Sequence, residues 1–516
     1  MFTLSLSERK LHLASLLYLS FPCILFLIGW VTPWLALPLI AAIVFTIIRG
    51  TRHTGDVWQI QPRQALLLLL VFFIVALPLL TTGLAGGYNT AWDISVFRQA
   101  MYRNLIDAPW PIILPDGREL TYYIAGFLPA AMASRLVSNT DIQQWLLLLW
   151  SNVGTFLALL YFFHKRKRIS WLLVLFFLFM SDPAWYFYCG THWFSSVLRY
   201  IAHLAAQPEW GGYDIALIAD WPTFQTINSY QVTACAFNSL TPTLLVFAIT
   251  QHVKRNAPYI LPLSLALLTM LSPLGAIGCA PFAAIAYFRV LQAEKERPWL
   301  RASLWLIAPL SIVFINFIYF TRGNASTAVC FPAAVWGLFP FLIVYTRILV
   351  TAVLFVLPFV HKIRQDKALL TTLICIVAFP LIYIGSSREL DAVHFNELWL
   401  KNYPIYAFEF ATALSLYWKE ANFTKYFWLF WSTFIAALFL YGAWTGYDPD
   451  LKVRDEWNGH ICHMKPIMQQ KIPNTHSPAI NGILLNRDGE SEDSFPGCLL
   501  PKAPGCDYSR PPAEQK

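Results

Sequence analysis

The sequence predicts an all-α polytopic membrane protein with about 13 transmembrane helices, long extracytoplasmic loops and an irregular C-terminal tail. Three observations predict it. Apolar residues make up 57% of the 516 residues and the mean hydropathy is +0.51. Charged residues are 13%, where a soluble domain carries about 25%. Finally, the apolar runs are separated by short, basic connections on one side and long, mixed-charge connections on the other. The formal net charge of +8 therefore reads as loop charge that sets orientation rather than as a nucleic-acid surface. The abundant Trp and Tyr suit a headgroup interface or a stacking groove.

A span needs about 20 apolar residues, and Lys/Arg-rich ends mark the cytoplasmic side. Leu11–Trp30 goes out and Pro33–Ile48 returns through a tight Val31-Thr32-Pro33 turn. The loop that follows carries Arg49, Arg52 and Arg63 and is read as cytoplasmic. Gln64–Leu84 goes out to a long loop. Tyr122–Leu136 is apolar enough for a span, but a span there would put His164-Lys165-Arg166-Lys167-Arg168, the densest basic cluster, outside. The conflict disappears if Tyr122–Leu136 lies at the outer interface as an amphipathic or partly re-entrant helix, with Trp145–Phe163 going in. Trp171–Tyr188 then goes out and Ser229–Thr250 in, towards His252, Lys254 and Arg255. Pro258–Leu271 and Ala276–Leu291 form a hairpin; Trp299–Phe320 goes out, Phe341–Val360 in, Ala368–Ile384 out, Tyr403–Trp418 in and Tyr426–Trp444 out. This defines a membrane domain over 1–445, with outer loops at 87–142, 189–228, 321–340 and 386–402, and an extracytoplasmic tail over 446–516. The N-terminus is placed in the cytoplasm and the C-terminus outside.

The long loops exceed ordinary connection lengths and hold most of the chemistry-bearing residues, so the working surface is expected to face outward. In the first, Asp93 opens a stretch of helical character. It reads either as a helix cap or as a general base for an acceptor hydroxyl. Arg98 and Arg103 suit a phosphate or interfacial snorkelling. Asp116-Gly117-Arg118-Glu119 reads as a turn. In the second loop Glu209 and Trp210 precede Gly211-Gly212, a pairing suited to hydrogen-bonding a sugar while the indole stacks on it, or simply to a solvated loop. Asn228, Gln231 and Asn238 enter the next span on nearly one face, and amides inside a span often mark a site. The third loop offers Arg388, Glu389, Asp391, His394, Glu397 and Lys401, a charge network in which Arg388 or Lys401 would suit a phosphate.

Cys23, Cys235, Cys279 and Cys375 lie in or beside apolar runs and read as packing residues. No Cys/His array has zinc spacing, and His460-Ile461-Cys462-His463 reads as a loop. Asp448-Pro449-Asp450 spells a DxD at the end of the last span, which leaves a divalent cation open; no metal site is assigned. A phosphate-binding Gly-rich loop and an HExxH are both absent, which disfavours an ATP-driven pump and a zinc protease.

Several short motifs resemble the GT-C superfamily of polyprenyl-phosphate-sugar-dependent glycosyltransferases. They are Asp93; Leu105-Ile106-Asp107; Trp110-Pro111; Tyr122-Tyr123; Leu128-Pro129-Ala130-Ala131; Glu209-Trp210; and Leu271-Ser272-Pro273-Leu274-Gly275-Ala276-Ile277-Gly278 with Pro281. The architecture is also similar to the serotype-converting O-antigen glucosyltransferases of enteric bacteria. The His that follows the early Asp in that pattern is absent here, where Val96 and Phe97 stand, and two spans precede the expected start. The resemblance implies a GT-C-like fold in a bacterial inner membrane and transfer of a sugar from a polyprenyl-phosphate donor to a surface glycan or lipid-linked acceptor on the periplasmic face. It implies Asp93 as catalytic base, Arg98, Arg103, Arg388 and Lys401 on the donor phosphate, and Tyr122, Tyr123, Glu209, Trp210, Asn228 and Asn238 on sugar or acceptor. The competing expectation is a flippase or permease for lipid-linked sugars, to which Glu409 inside Tyr403–Trp418 is relevant. A membrane acyltransferase would want a buried His, for which His192, His203 and His394 stand in no convincing setting.

Overall fold

The computed structural model describes residues 4–52, 55–76, 79, 101–112, 122–171, 173–174, 177, 229–253, 257–293, 298–322, 327–331, 333–334, 338, 341–342, 345–346, 349, 352–353, 357–386 and 397–417. These residues are mostly helical, in the manner of a helical membrane protein.

After strand β1 (Leu4–Ser7), α1 (Glu8–Trp30) starts where Ser7 accepts a hydrogen bond from the Lys10 amide, with Glu8 in the first turn favouring the positive helix end. The expected tight turn follows, and Pro33 opens α2 (Pro33–Gly50). Strand β2 (Val57–Ile60) pairs antiparallel with β1, Leu4 opposite Ile60 and Ser7 opposite Val57. Gln61 and Gln64 then form a reciprocal cap on α3 (Pro62–Ile74). Residues 101–107 are helical. A 3-10 turn over Ile124–Phe127 runs into the short α4 (Leu128–Ser134) and then the long α5 (Thr140–Arg166). The remaining main helices are α6 (Ser229–His252), α7 (Ala257–Leu271), α8 (Pro273–Ala293) and α9 (Pro298–Arg322). Strand β3 (Thr327–Cys330) pairs with β4 (Tyr383–Ser386), which follows α10 (Lys367–Ala378); α11 (Glu397–Tyr417) completes the described chain.

Glu8–Trp30, Pro33–Gly50, Ile142–Arg166 and Pro273–Gln292 are long and apolar enough to cross a membrane. Exposed apolar stripes support a lipid-facing exterior: on α9 they are Ile307, Leu310, Phe314 and Phe317, all more than half exposed, at the spacing of one helix face. Such a stripe would be unstable in water and is at home in hydrocarbon.

The contacts fix which helix ends share a face. At the end that holds the N-terminus, the Glu8 amide donates to the Asp56 carbonyl at 2.9 Å. There His12 Nδ1 bonds Tyr161 Oη at 2.8 Å, and His164 Nε2 donates to the Leu6 carbonyl at 3.2 Å. The Tyr161 ring also packs on His252, 5.3 Å between centroids. The start of α1 and the ends of α5 and α6 therefore lie together. At the opposite end Trp110 sits against Gly29 and Trp30, and Tyr319 meets both Phe26 and the backbone of Tyr122. The basic cluster after α5 is thus on the N-terminal face, as the charge argument requires. The segment Tyr122–Leu136 does not cross. It is not a surface helix either: Ile124, Ala125, Phe127, Leu128, Ala130 and Ala131 are buried, and the segment packs on α1, α5 and α7. It also touches α6, where Gly126 lies in van der Waals range of Asn238, so of the two forms expected for it a helix lying on the surface does not describe the segment.

Candidate functional site

On the face opposite the N-terminus, residues 101–112 and 122–136 are tied together. Tyr102 Oη donates to the Gln143 carbonyl at 2.8 Å and bonds Ser134 Oγ at 2.8 Å. Arg103 forms a 2.7 Å ion pair with Asp107 and donates to Gln143 Oε1 at 2.7 Å. Gln143 Nε2 in turn donates to the Val137 carbonyl at 2.7 Å. Arg135 donates to the carbonyls of Leu105 and Ala108 at 3.1 and 2.6 Å and lies 4.4 Å over the Trp110 ring, a cation–π contact. Trp110 Nε1 donates to the Leu105 carbonyl at 2.9 Å. Turn carbonyls that no helix would satisfy are thereby bonded by Arg and Trp side chains. The described residues of this loop are held to the end of α1 by the Trp110–Gly29 contact.

Below this unit lies a small cavity of about 10 Å³ lined by Tyr18, Pro22, Gly126, Trp150, Ser151, Asn238, Pro242 and Leu271. Tyr18 and Trp150 stack, with centroids 4.4 Å apart and ring planes at 19°. Asn238 is 3% exposed, and neither its Oδ1 nor its Nδ2 has a hydrogen-bond partner. Leaving such a group unpartnered costs about 1–3 kcal/mol per atom. Two prolines add to the polarity. Pro22 in α1 and Pro242 in α6 have no N–H, so the carbonyls of Tyr18 and Asn238, one turn earlier, cannot receive the helix bond those positions normally supply.

Beside the cavity the polar lining continues as a buried layer. Ser239 Oγ and Ser272 Oγ are hydrogen-bonded, and Ser272 Oγ accepts from the Gly275 amide at 3.1 Å, capping α8. Thr155 and Thr241 hydroxyls bond at 3.0 Å between α5 and α6. Asn402 packs on Gly278. Towards the N-terminal face, Glu409 on α11 is 4% exposed, with Oε2 unpartnered.

The four described site residues from the sequence fall into two settings. Arg103 belongs to the bonded outer unit, and its guanidinium is already shared between Asp107 and Gln143. The Tyr122 and Tyr123 rings meet in a tilted contact, centroids 5.1 Å apart, with Tyr123 against Phe320 at 5.7 Å. Asn238 lines the cavity. Lys401 is on α11, its side chain outside the described residues, as are Asp93, Arg98, Glu209, Trp210, Asn228 and Arg388 altogether. Sequence reasoning missed Tyr18, Trp150, Gly126, Pro22 and Pro242. The available signal was the pair of prolines inside apolar runs, each one turn after a polar residue. Among the described residues no group of three His, Cys, Asp or Glu side chains is arranged to hold a metal ion, and Cys23, Cys279 and Cys375 are buried free thiols. Comparison with protein-family models, with curated proteins and with solved structures returns no match to this chain.

Proposed function

We propose that this membrane protein is a GT-C type glycosyltransferase of a bacterial inner membrane. In this reading it moves a sugar from a polyprenyl-phosphate donor to a cell-surface glycan or lipid-linked acceptor, an O-antigen in one form, on the periplasmic face. The observation that supports the reading is the unit formed by residues 101–112 and 122–136. It follows the Asp93 segment directly in sequence and is held to the bundle on the face away from the N-terminus by Trp110, which packs on Gly29 and Trp30 and is itself covered by Arg135. A rigid support of that kind is what a general base needs to meet an acceptor hydroxyl at hydrogen-bond distance. Asp93 takes the acceptor proton as that oxygen attacks the anomeric carbon. The bond to the donor phosphate breaks, and the departing phosphate is held by Arg98, Arg388 or Lys401. Tyr122, Tyr123, Glu209, Trp210 and Asn228 contact sugar or acceptor. The expected outcome of Asp93→Asn is a protein that inserts normally while the surface glycan, followed by mass spectrometry, loses its added hexose. A full hexose complement in that variant overturns the assignment.

A second reading rests on Glu409 and the polar layer. A carboxylate inside a bundle of apolar helices is a feature of transport paths, which favours a flippase or permease for lipid-linked sugars. Movement of a lipid-linked sugar across proteoliposomes without transfer, lost in Glu409→Gln, would replace the first reading.

A further inference from the structure

We infer that the cavity at Asn238 is a binding site for the hydroxyl head of a membrane-dissolved amphiphile, which enters from the bilayer past Trp150. The hydrogen-bonding inventory of the cavity is the first argument. Asn238 offers an unpartnered donor and an unpartnered acceptor, and it is 3% exposed. The prolines at 22 and 242 leave two further acceptors, the carbonyls of Tyr18 and Asn238, without the helix N–H they would otherwise receive. A hydroxyl both donates and accepts, so it answers this set; an ammonium or a phosphate answers only one side of it. No described charged side chain lines the cavity, which also excludes an ionic head.

Size and access are the second argument. At about 10 Å³ the cavity takes one group the size of a water molecule, not a sugar ring. Of its lining residues only Gly126 and Trp150 are partly exposed. Trp150 stands on the lipid-facing side, its ring 6.0 Å from Phe21. Phe21, Leu17 and Leu149 are 38%, 52% and 48% exposed around it. An alkyl chain lying along these side chains would stay in hydrocarbon while its terminal oxygen turned in beneath the indole. Asn238 is then a lipid-side recognition residue, independent of whichever reaction the outer face performs.

The test uses the full-length protein in lipid nanodiscs and two photoreactive probes, a long-chain primary alcohol bearing a diazirine near the hydroxyl and the same alkyl diazirine lacking the hydroxyl. The alcohol is expected to label Tyr18, Trp150 or Leu271 saturably, with competition by unlabelled dodecanol, while the hydrocarbon labels only the exposed stripe. Asn238→Leu, close in volume, should remove the saturable labelling, and Asp93→Asn should leave it intact. Equal, non-saturable labelling by both probes in the wild-type protein overturns the inference and leaves the cavity to water. The wild-type comparison decides the matter even if Asn238→Leu does not fold, and its outcome does not depend on transfer activity.

Discussion

Tyr102 shows how a single side chain holds the outer unit in place. Its hydroxyl joins residues 101–107 to Ser134 and to the backbone at Gln143, and the residue is 1% exposed. Burial pushes its pKa up from 10.0 to about 12, with the Ser134 hydrogen bond acting in the opposite direction. The native state therefore keeps this proton at a pH where the unfolded chain has lost it. At neutral pH both states hold the proton. As pH rises from 10.0 through about 12, the native state binds more protons than the unfolded state, so the contribution of Tyr102 to stability falls. Tyr102→Phe should be less stable than wild type by about 1 kcal/mol at neutral pH, and the gap should narrow above pH 10. Denaturant titrations of both proteins in detergent across that range check this; a gap that is constant or widens with pH contradicts the burial argument.

Among the elements, close helix contact depends on glycines placed under larger side chains. A Cβ at Gly154 would run into the Tyr18 ring and the Thr241 methyl, so α1, α5 and α6 converge on that position. Gly275 lies under Thr243 and Gly278 under Asn402, which brings α8 against α6 and α11. In hydrocarbon, where no hydrophobic force draws helices together, small residues that permit close approach supply much of the association. Gly154→Ala should cost about 1–3 kcal/mol through overpacking and open the Tyr18–Trp150 stack. Thermal unfolding in micelles reads the first effect, and weaker alcohol photolabelling reads the second. An unchanged melting temperature would show that α1 adjusts freely. The caps act at the same scale: Ser7 on α1, Gln61 on α3 and Ser272 on α8 satisfy amides that a helix start leaves open.

For the whole molecule, the decisive property is the sharing of faces. The β1–β2 sheet and a set of side-chain bonds place the N-terminus, the loop before α3 and the ends of α5 and α6 on one face. Trp110, the start of Tyr122–Leu136 and the end of α9 lie on the other. In a cysteine-free background, Ser5→Cys and Arg168→Cys should react with a membrane-impermeant maleimide from the same side, and Leu136→Cys, at 88% exposure, from the opposite side. Reaction of positions 136 and 168 from one side would mean that α5 does not cross. The positive-inside rule predicts that the shared face of Ser5 and Arg168 is the cytoplasmic one, and the same experiment on intact cells tests that expectation.

The sequence by itself determined the apolar helices, the tight turn between α1 and α2, the α7–α8 hairpin and the need for Tyr122–Leu136 not to cross. Each depends on local composition or on charge near helix ends, and both are written contiguously in the chain. It also singled out Asn238 and Glu409, because an amide or carboxylate inside an apolar run is conspicuous without a structure. Only the tertiary structure decided what surrounds them. The cavity gathers Tyr18, Gly126, Trp150, Asn238 and Leu271 from five separate stretches, and no periodicity links those positions. The same holds for Arg103, which as a sequence feature suits a phosphate or the membrane interface and in the fold is bonded to Asp107 and Gln143. The strand pairs were likewise invisible, since four-residue strands carry too little alternation to be read. Burial in a membrane is set by length and hydropathy, which are additive along the chain; a binding site is set by which distant groups are left without partners, and that is fixed only when the helices have packed.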